Sequence, residues 1–119
     1  MESLVARIWR TGLDRSRAGE YDEFARTRSL PMFERHDGFR GVLFATAGDE
    51  RVVITLWRDR EAAAALERSS DYQATVGAIE AAGFLRPPQR VELLDVQGTR
   101  LDGVGRGAVC APRRGHQRL

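Results

Sequence analysis

The sequence predicts an α+β protein of the ferredoxin-like class, with the order β, α, β, β, α, β and a four-stranded antiparallel sheet that carries helices on one face. Short apolar stretches of β-type composition alternate with stretches of helical periodicity along residues 1–97. Only Gly48 and Asp49 separate two of the predicted strands, which is typical of a tight antiparallel hairpin. The strand from Glu50 to Trp57 is apolar on both faces, so we expect both faces of the sheet to be covered.

The first half of the chain supplies two strands and one helical region. Val5 to Arg10 alternates as a strand, and the polar stretch from Thr11 to Gly19 is typical of a loop. Glu20 to Arg35 has helical periodicity, and Pro31 within it is expected to kink or divide the helix. Phe39 to Ala47 is the second strand.

After the hairpin, capping residues mark the remaining elements. Asp59 can cap a helix over residues 60–68, and Ser69, Ser70 or Asp71 can cap a second helical segment that runs to about Ala82. Gly83 is expected to end that segment. A Pro-Pro pair then leads into the last strand, Arg90 to Val96.

The positive charge of the chain is concentrated in its last 22 residues. Residues 1–97 hold 14 arginines and 16 acidic residues, a net charge of −2, whereas residues 98–119 hold five arginines and one Asp. We therefore predict a folded domain over 1–97 and a flexible, basic, glycine-rich tail over 98–119. An arm for nucleic acid or an acidic protein is the alternative for the tail. The acidic body disfavours nucleic acid as a partner of the domain itself.

Several classes of protein and site are disfavoured. No apolar run approaches the roughly 20 residues that span a bilayer, and the N-terminus lacks a secretory signal pattern, so we expect a cytoplasmic protein without a membrane partner. Cys110 is the single cysteine and cannot form an internal disulfide. Neither ligand spacing for a metal nor a nucleotide-binding loop is present, and we expect no cofactor.

A second copy of the chain is the simplest cover for the free face of the sheet. Two sheets would then close into a barrel across a two-fold axis, as a homodimer. Arg7 and Arg40, on predicted strands, are expected to pair with acidic residues across this dimer, and binding of an anionic substrate is the less favoured alternative.

Four stretches carry a family resemblance: VARIWR from Val5, DGFRG from Asp37, Ile54 to Val76, and the proline-led strand from Gly83 to Val96. In their order and spacing they resemble the antibiotic biosynthesis monooxygenase domain family of small, dimeric α+β barrel proteins. Members include haem-degrading enzymes and cofactor-free oxygenases that make quinones from aromatic polyketides.

The resemblance favours the oxygenase branch over the haem-degrading branch. The Asn, Trp and His of the haem-degrading branch match Ala6, Leu66 and Val76 here. The Asn, Trp, Tyr and Arg of the quinone-forming branch match Val53, Trp57, Ala63 and Gly77, so that only the Trp is retained, and Arg68 and Tyr72 lie near enough to substitute. The resemblance implies a cofactor-independent monooxygenase that oxidises a polycyclic aromatic, polyketide-like substrate with dioxygen.

Three residues are the candidates for catalysis. Trp57 could donate its indole N–H to a substrate or peroxide oxygen, His36 could act as the base, and Tyr72 could donate a hydrogen bond. The structural alternatives are a core tryptophan, an exposed helix-ending histidine and a packing tyrosine. The substrate pocket is expected between the sheet and its own helices, lined by Ala6, Ile8, Phe24, Met32, Val53, Thr55 and Val76.

Two other functions remain open. A non-oxidative polyketide cyclase or isomerase would use the same pocket without dioxygen. A non-catalytic ligand-binding or accessory protein would account for the missing family side chains.

Overall fold

Four strands form one antiparallel sheet in the computed structural model, which describes residues 3–101. Across the sheet the order is β2-β3-β1-β4, and each neighbouring pair is antiparallel. The helices pack on one face, so the predicted ferredoxin-like α+β fold is confirmed. The strands are β1 (Val5–Leu13), β2 (Phe39–Ala47), β3 (Glu50–Trp57) and β4 (Leu85–Asp95).

The helical layer consists of two connected regions. The first begins with a 3-10 turn inside the stretch predicted as a loop, and the second follows β3. The segments are the 3-10 turn Arg15–Arg17, α1 (Ala18–Phe24), a π-helical segment (Ala25–Ser29), α2 (Leu30–Glu34), α3 (Arg60–Arg68) and α4 (Ser70–Ala82).

Pro31 divides the first helical region, as predicted, and the π-helical segment precedes it directly. Proline has no N–H to donate, and its ring crowds the carbonyl four residues earlier in a regular helix. A wider turn accommodates the ring while the chain continues in the same direction.

Strands β1 and β4 are both longer than predicted. They continue past a bulge between Arg10 and Gly12, where Gly12 pairs with Arg86 and Leu13 with Leu85. Because β4 is an edge strand, it can include the Pro87-Pro88 pair without losing hydrogen bonds in the centre of the sheet.

The predicted helix boundaries after β3 are confirmed by their caps. The Asp59 side chain accepts a hydrogen bond from Ala62 N at 2.8 Å, and Ser69 Oγ accepts one from Tyr72 N at 3.0 Å. Gly83 follows α4 with a φ of 84°, a left-handed conformation that glycine adopts without strain.

The register of β1 against β3 decides which residues face the helices. Val5 pairs with Trp57 and Arg7 with Thr55, so these residues share the helix-facing side. Ala6 pairs with Leu56, on the opposite side, and Ile8 lies on that side too. The prediction that Ala6 and Ile8 line the Trp57 pocket is therefore wrong, because alternation sends them to the outer face.

Two glycines with opposite surroundings give a paired prediction. Gly38 has a φ of 90°, and a Cβ there would lie 2.6 Å from the Ala62 Cβ, whereas a Cβ on Gly77 in α4 would meet nothing within 4 Å. Gly38→Ala should lower the free energy of unfolding by about 2 kcal/mol or more. Gly77→Ala should raise it by roughly 0.5–1 kcal/mol. Urea unfolding of both variants checks this, and equal effects of the two changes would contradict it.

Within residues 3–101, no helix is long and apolar enough to cross a membrane. The predicted basic tail lies, from residue 102 onward, outside the described residues, and so does Cys110.

Candidate functional site

Trp57 lies at the end of β3, and its side chain is fully buried, at 0% exposure. It belongs to a core cluster with Met32, Phe33 and Leu66, and the Phe39 ring packs edge-on with a centroid distance of 5.7 Å. The indole therefore fills the space between the sheet and the helices.

The indole N–H has an acceptor within the chain. Trp57 Nε1 donates to Thr55 Oγ1 at 2.8 Å, and that hydroxyl lies 3.4 Å from the backbone oxygen of Arg7. Thr55 is also buried, so this bond removes the cost of about 1–3 kcal/mol for an unpaired buried N–H. A substrate oxygen would have to replace Thr55 to bond the indole.

Arg7 places a buried cation beside this pair. Its side chain is 3% exposed, and its Nε donates to Glu67 Oε2 at 3.0 Å. Its Nη2 donates to the Tyr72 hydroxyl at 2.8 Å. The predicted pairing of Arg7 with acidic residues of a second copy is therefore wrong, because Glu67 and Tyr72 of the same chain satisfy the guanidinium.

His36 follows α2, half-buried, with its ring edge-on to Trp57 at a centroid distance of 6.4 Å. Nδ1 lies 2.9 Å from the Met32 carbonyl oxygen, and Nε2 lies 2.8 Å from Ser69 Oγ. Because a carbonyl only accepts, Nδ1 carries a hydrogen, which leaves the Nε2 lone pair of the neutral ring directed at Ser69. His36 both ends the helical region and faces the interior.

An exposed ion pair fixes the loop that carries Ser69. Arg35 donates from Nε and Nη2 to the two carboxylate oxygens of Asp71, at 2.8 and 2.9 Å. The hydrogen bonds from Arg35 lower the pKa of Asp71 below its usual value, and the positive charges of Arg35 and His36 act in the same direction.

This pair should make stability depend on pH in the acid range. Because the folded pKa of Asp71 lies below the unfolded value of about 3.9, its contribution is present above that value and is lost as the pH falls through the folded pKa. Asp71→Asn should be less stable than wild type at pH 6, and the difference should shrink as the pH falls below the unfolded pKa of about 3.9 and through the lower folded pKa. Urea unfolding from pH 2 to 7 measures it. The exposed Glu61→Gln change is the matched control, and a difference that persisted unchanged at low pH would contradict the assignment.

Some of the other predicted lining residues surround Trp57 and some do not. Met32 and Val53 belong to its core cluster, and Tyr72 packs against that cluster. Phe24 instead packs on a second cluster, with the Phe84 ring 6.4 Å away. Val76 is half-buried on α4 and is part of neither cluster.

The sequence pointed to Trp57, Tyr72 and His36, whereas Arg7 was expected in the dimer contact in preference to a substrate site. An arginine in the middle of an apolar strand, on the same face as Val5, was the available signal. Glu67, its partner, is 60 residues away along the chain, and the sequence gives no direct sign of that contact. In residues 3–101, no group of three or more His, Cys, Asp or Glu side chains is arranged to hold a metal ion.

Solved structures share this arrangement of strands and helices. Rv0793 from Mycobacterium tuberculosis is 22% identical, with a TM-score of 0.62 over 87% of this chain and 100% of that one. SnoaB from Streptomyces nogalater, named as a cofactor-independent oxygenase and solved as a mutant, is 20% identical, with a TM-score of 0.64 over 82% and 96%. A structure named antibiotic biosynthesis monooxygenase is 15% identical, with a TM-score of 0.64 over 79% and 99%.

The chain has the fold of the antibiotic biosynthesis monooxygenases. The likeness spans nearly the whole of these three proteins and 79–87% of this chain. No protein-family profile matches the sequence, and no curated protein matches it. At identities of 22% or less the likeness establishes the fold, and the chemistry must be argued from the residues.

Proposed function

We propose that this protein is a cofactor-independent monooxygenase that oxidises a phenolic, polycyclic aromatic substrate with dioxygen. The observation that carries the proposal is the buried Arg7 guanidinium, held between Glu67 and the Tyr72 hydroxyl next to Trp57. SnoaB, which has the same fold, is named as a cofactor-independent oxygenase, and this supports the reaction class.

The reaction requires a deprotonated substrate. An electron-rich phenolate can reduce dioxygen by itself, whereas the neutral phenol is a much poorer reductant. For a methylene carbon that becomes a quinone carbonyl, one oxygen atom of dioxygen is incorporated and the other leaves as water with the two hydrogens. The substrate thus supplies all the electrons, and the protein has to bind and orient the anion and exclude water.

Arg7 is suited to bind that anion. A guanidinium stays protonated, offers five N–H donors and interacts strongly with an oxyanion where water is excluded. Tyr72 is the partner that a substrate can replace, because it is half-buried and uncharged: its hydroxyl accepts one hydrogen bond from Arg7 Nη2, and the guanidinium carbon lies 5.2 Å from its ring centroid. In the proposed complex the substrate oxygen takes the place of the Tyr72 hydroxyl.

His36 and Trp57 complete the proposed site. A proton from the substrate reaches His36 at Nε2, the nitrogen that faces Ser69. Trp57 is completely buried, so its ring and its N–H would reach the substrate only after the substrate has displaced Tyr72 and Thr55 has released the indole.

The direct test is dioxygen uptake by metal-stripped protein with an anthrone-type phenol. Uptake and quinone formation in a one-to-one ratio would support the oxygenase. Binding of the phenol, seen as quenching of Trp fluorescence, without uptake would reject it.

A second candidate is a ligand-binding protein without turnover. It is favoured by one specific observation: the Trp57 N–H and both ring nitrogens of His36 already have partners in the chain. A cyclase or isomerase would instead convert its substrate under anaerobic conditions, and the same assay without oxygen separates the two.

We also propose that the chain works as a homodimer joined through the outer face of the sheet. That face is apolar along its two central strands, at Ala6, Ile8, Ile54 and Leu56. On the flanking strands Leu43 and Leu94 are 46% and 42% exposed. Ala6 and Ile8 are themselves buried, at 8% and 9% exposure, so the exposed apolar side chains lie around them, and such a group of exposed leucines supports a protein interface here.

Replacing both exposed leucines with glutamate should convert the dimer to a monomer. Leu43→Glu with Leu94→Glu would bring four buried carboxylates into the interface, and each costs more than the contact it replaces. Sedimentation at micromolar concentration measures the mass, with the exposed Ala74→Glu on α4 as the control. A wild-type protein that sediments as a monomer would reject the dimer.

A further inference from the structure

A second site opens at the end of the sheet opposite to Trp57. A pocket of about 350 Å³ lies between α1 with the π-helical segment and the edge strand β2. Arg51, in its wall, is six residues before Trp57 on β3, roughly 20 Å away along the strand. The pocket is large enough for a small organic molecule, and the proposed oxygenase reaction does not use it.

The walls of this pocket are mainly apolar. The small side chain of Ala25 lies in the π-helical segment, which widens the helix at this position, and such turns are frequent at functional sites. Phe44 is 41% exposed although it lies on the helix-facing side of β2, opposite Val53. The residues that line the cavity include Tyr21, Ala25, Leu30, Phe44, Thr46 and Arg51, and the charged side chains of Asp22, Glu23 and Arg26 line it as well.

Arg51 provides a positive charge whose hydrogen bonding is incomplete. Its side chain is 14% exposed, and its Nε is buried without a hydrogen-bond acceptor in the described part of the chain. Asp22 Oδ1 lies 3.5 Å from this nitrogen, within ion-pair range but beyond normal hydrogen-bond length, and Asp22 is 65% exposed. An unsatisfied buried N–H costs about 1–3 kcal/mol, which a bound acceptor would recover.

Of the two arginines that line the pocket, Arg51 is the one that can bind an anionic ligand. Arg26, which also lines the pocket, is paired with Glu23. Tyr21 lies under Arg51, with the guanidinium carbon 5.5 Å from its ring centroid. Burial raises the pKa of Tyr21, so its hydroxyl stays a neutral donor that an anion tolerates.

We propose that this pocket binds a small apolar carboxylate, with the carboxylate on Arg51 and the apolar part between Phe44 and Leu30. One arginine in an apolar cavity suits a single-charged, flat acid. A phosphate group, with nearly two charges, would need more donors than this pocket offers.

The first experiment compares 1-naphthoate with its neutral analogue 1-naphthamide on the full chain, by titration calorimetry and by amide shift mapping. Naphthoate should bind at least about tenfold more tightly, because only the acid can pair with Arg51. The shifted amides should include those of Phe44, Thr46 and Arg51. Equal binding of acid and amide, no binding of either, or shifts centred on Trp57 would each overturn the proposal.

Two substitutions that change the charge of the pocket should have opposite effects on naphthoate affinity. Arg51→Gln should weaken naphthoate binding by about tenfold, whereas Asp22→Asn should strengthen it by about two- to fivefold, because it removes the competing carboxylate. Asp22 is exposed, so this variant will fold even where Arg51→Gln does not. Arg15→Gln is the control, since Arg15 forms an exposed pair with Asp49 outside the pocket. Unchanged affinity in Asp22→Asn would count against Arg51 as the anchor.

Discussion

The Arg7→Met variant is expected to lose about a hundredfold or more in kcat/KM with an anthrone-type phenol, while it keeps the wild-type circular dichroism. Arg7 is the buried cation that would hold the substrate as a phenolate, and removal of one such preorganised charge typically costs a factor of about 10²–10³. Methionine keeps much of the length and the apolar contacts of the arginine stem. Oxygen-electrode kinetics measure the effect.

A pH profile distinguishes binding of an anion from a purely structural role. With Arg7 present, the bound phenol ionises below its solution pKa, so kcat, which reports ionisation within the complex, should reach its plateau at a lower pH than in Arg7→Met. Arg60→Met, which removes an exposed ion pair with Asp95, is the matched control and should leave both rate and profile unchanged. A variant that is slower but has an unshifted profile would contradict the proposed role of Arg7.

The Trp57→Ala variant should lose about 3–5 kcal/mol of unfolding free energy, the typical cost of emptying a large aromatic site in a core. The side chain is completely buried, and its loss also removes the hydrogen bond to Thr55. Domains of this size are stable by only about 5–15 kcal/mol, so the variant would be close to unfolded at 37 °C. Denaturant unfolding at 15 °C, with the m-value compared to wild type, measures the loss.

Trp57→Phe is the informative companion. It keeps a ring in the core, so we expect a smaller loss of about 1–2 kcal/mol, together with a clear fall in turnover. If Trp57→Ala cost less than about 1 kcal/mol, the indole would be the wall of a cavity and not part of a packed core.

Local sequence signals were sufficient to predict the strands and helices, but not which face of each strand meets the helices. Gly48 and Asp49 define the hairpin, and Asp59 and Ser69 define the helix starts, because these features depend on a few adjacent residues. Alternation in β1 gives two faces without saying which one meets the helices. Ala6 and Ile8 are the more apolar pair, yet they face outward.

The reason for that error is a contact between distant residues. The inward face of β1 carries Arg7, which can be buried only because Glu67 and Tyr72 arrive from the second helical region. The same limit applies to the pocket around Arg51, whose walls come from two separate stretches of the chain, residues 19–30 and 44–51. Composition and periodicity do not report such contacts.

The Ser69 hydroxyl has one hydrogen and two acceptor positions, and two neighbours, the His36 ring and the Tyr72 backbone N–H, bind to it. While His36 is neutral, Ser69 gives its hydrogen to Nε2 and accepts the N–H of Tyr72. Once His36 takes up a proton, Nε2 becomes the donor, and the serine hydrogen is free to turn away from the ring. The cap of α4 therefore tolerates both forms of the imidazole, because the same hydroxyl can donate to the neutral ring or accept from the protonated one while it still accepts the Tyr72 N–H.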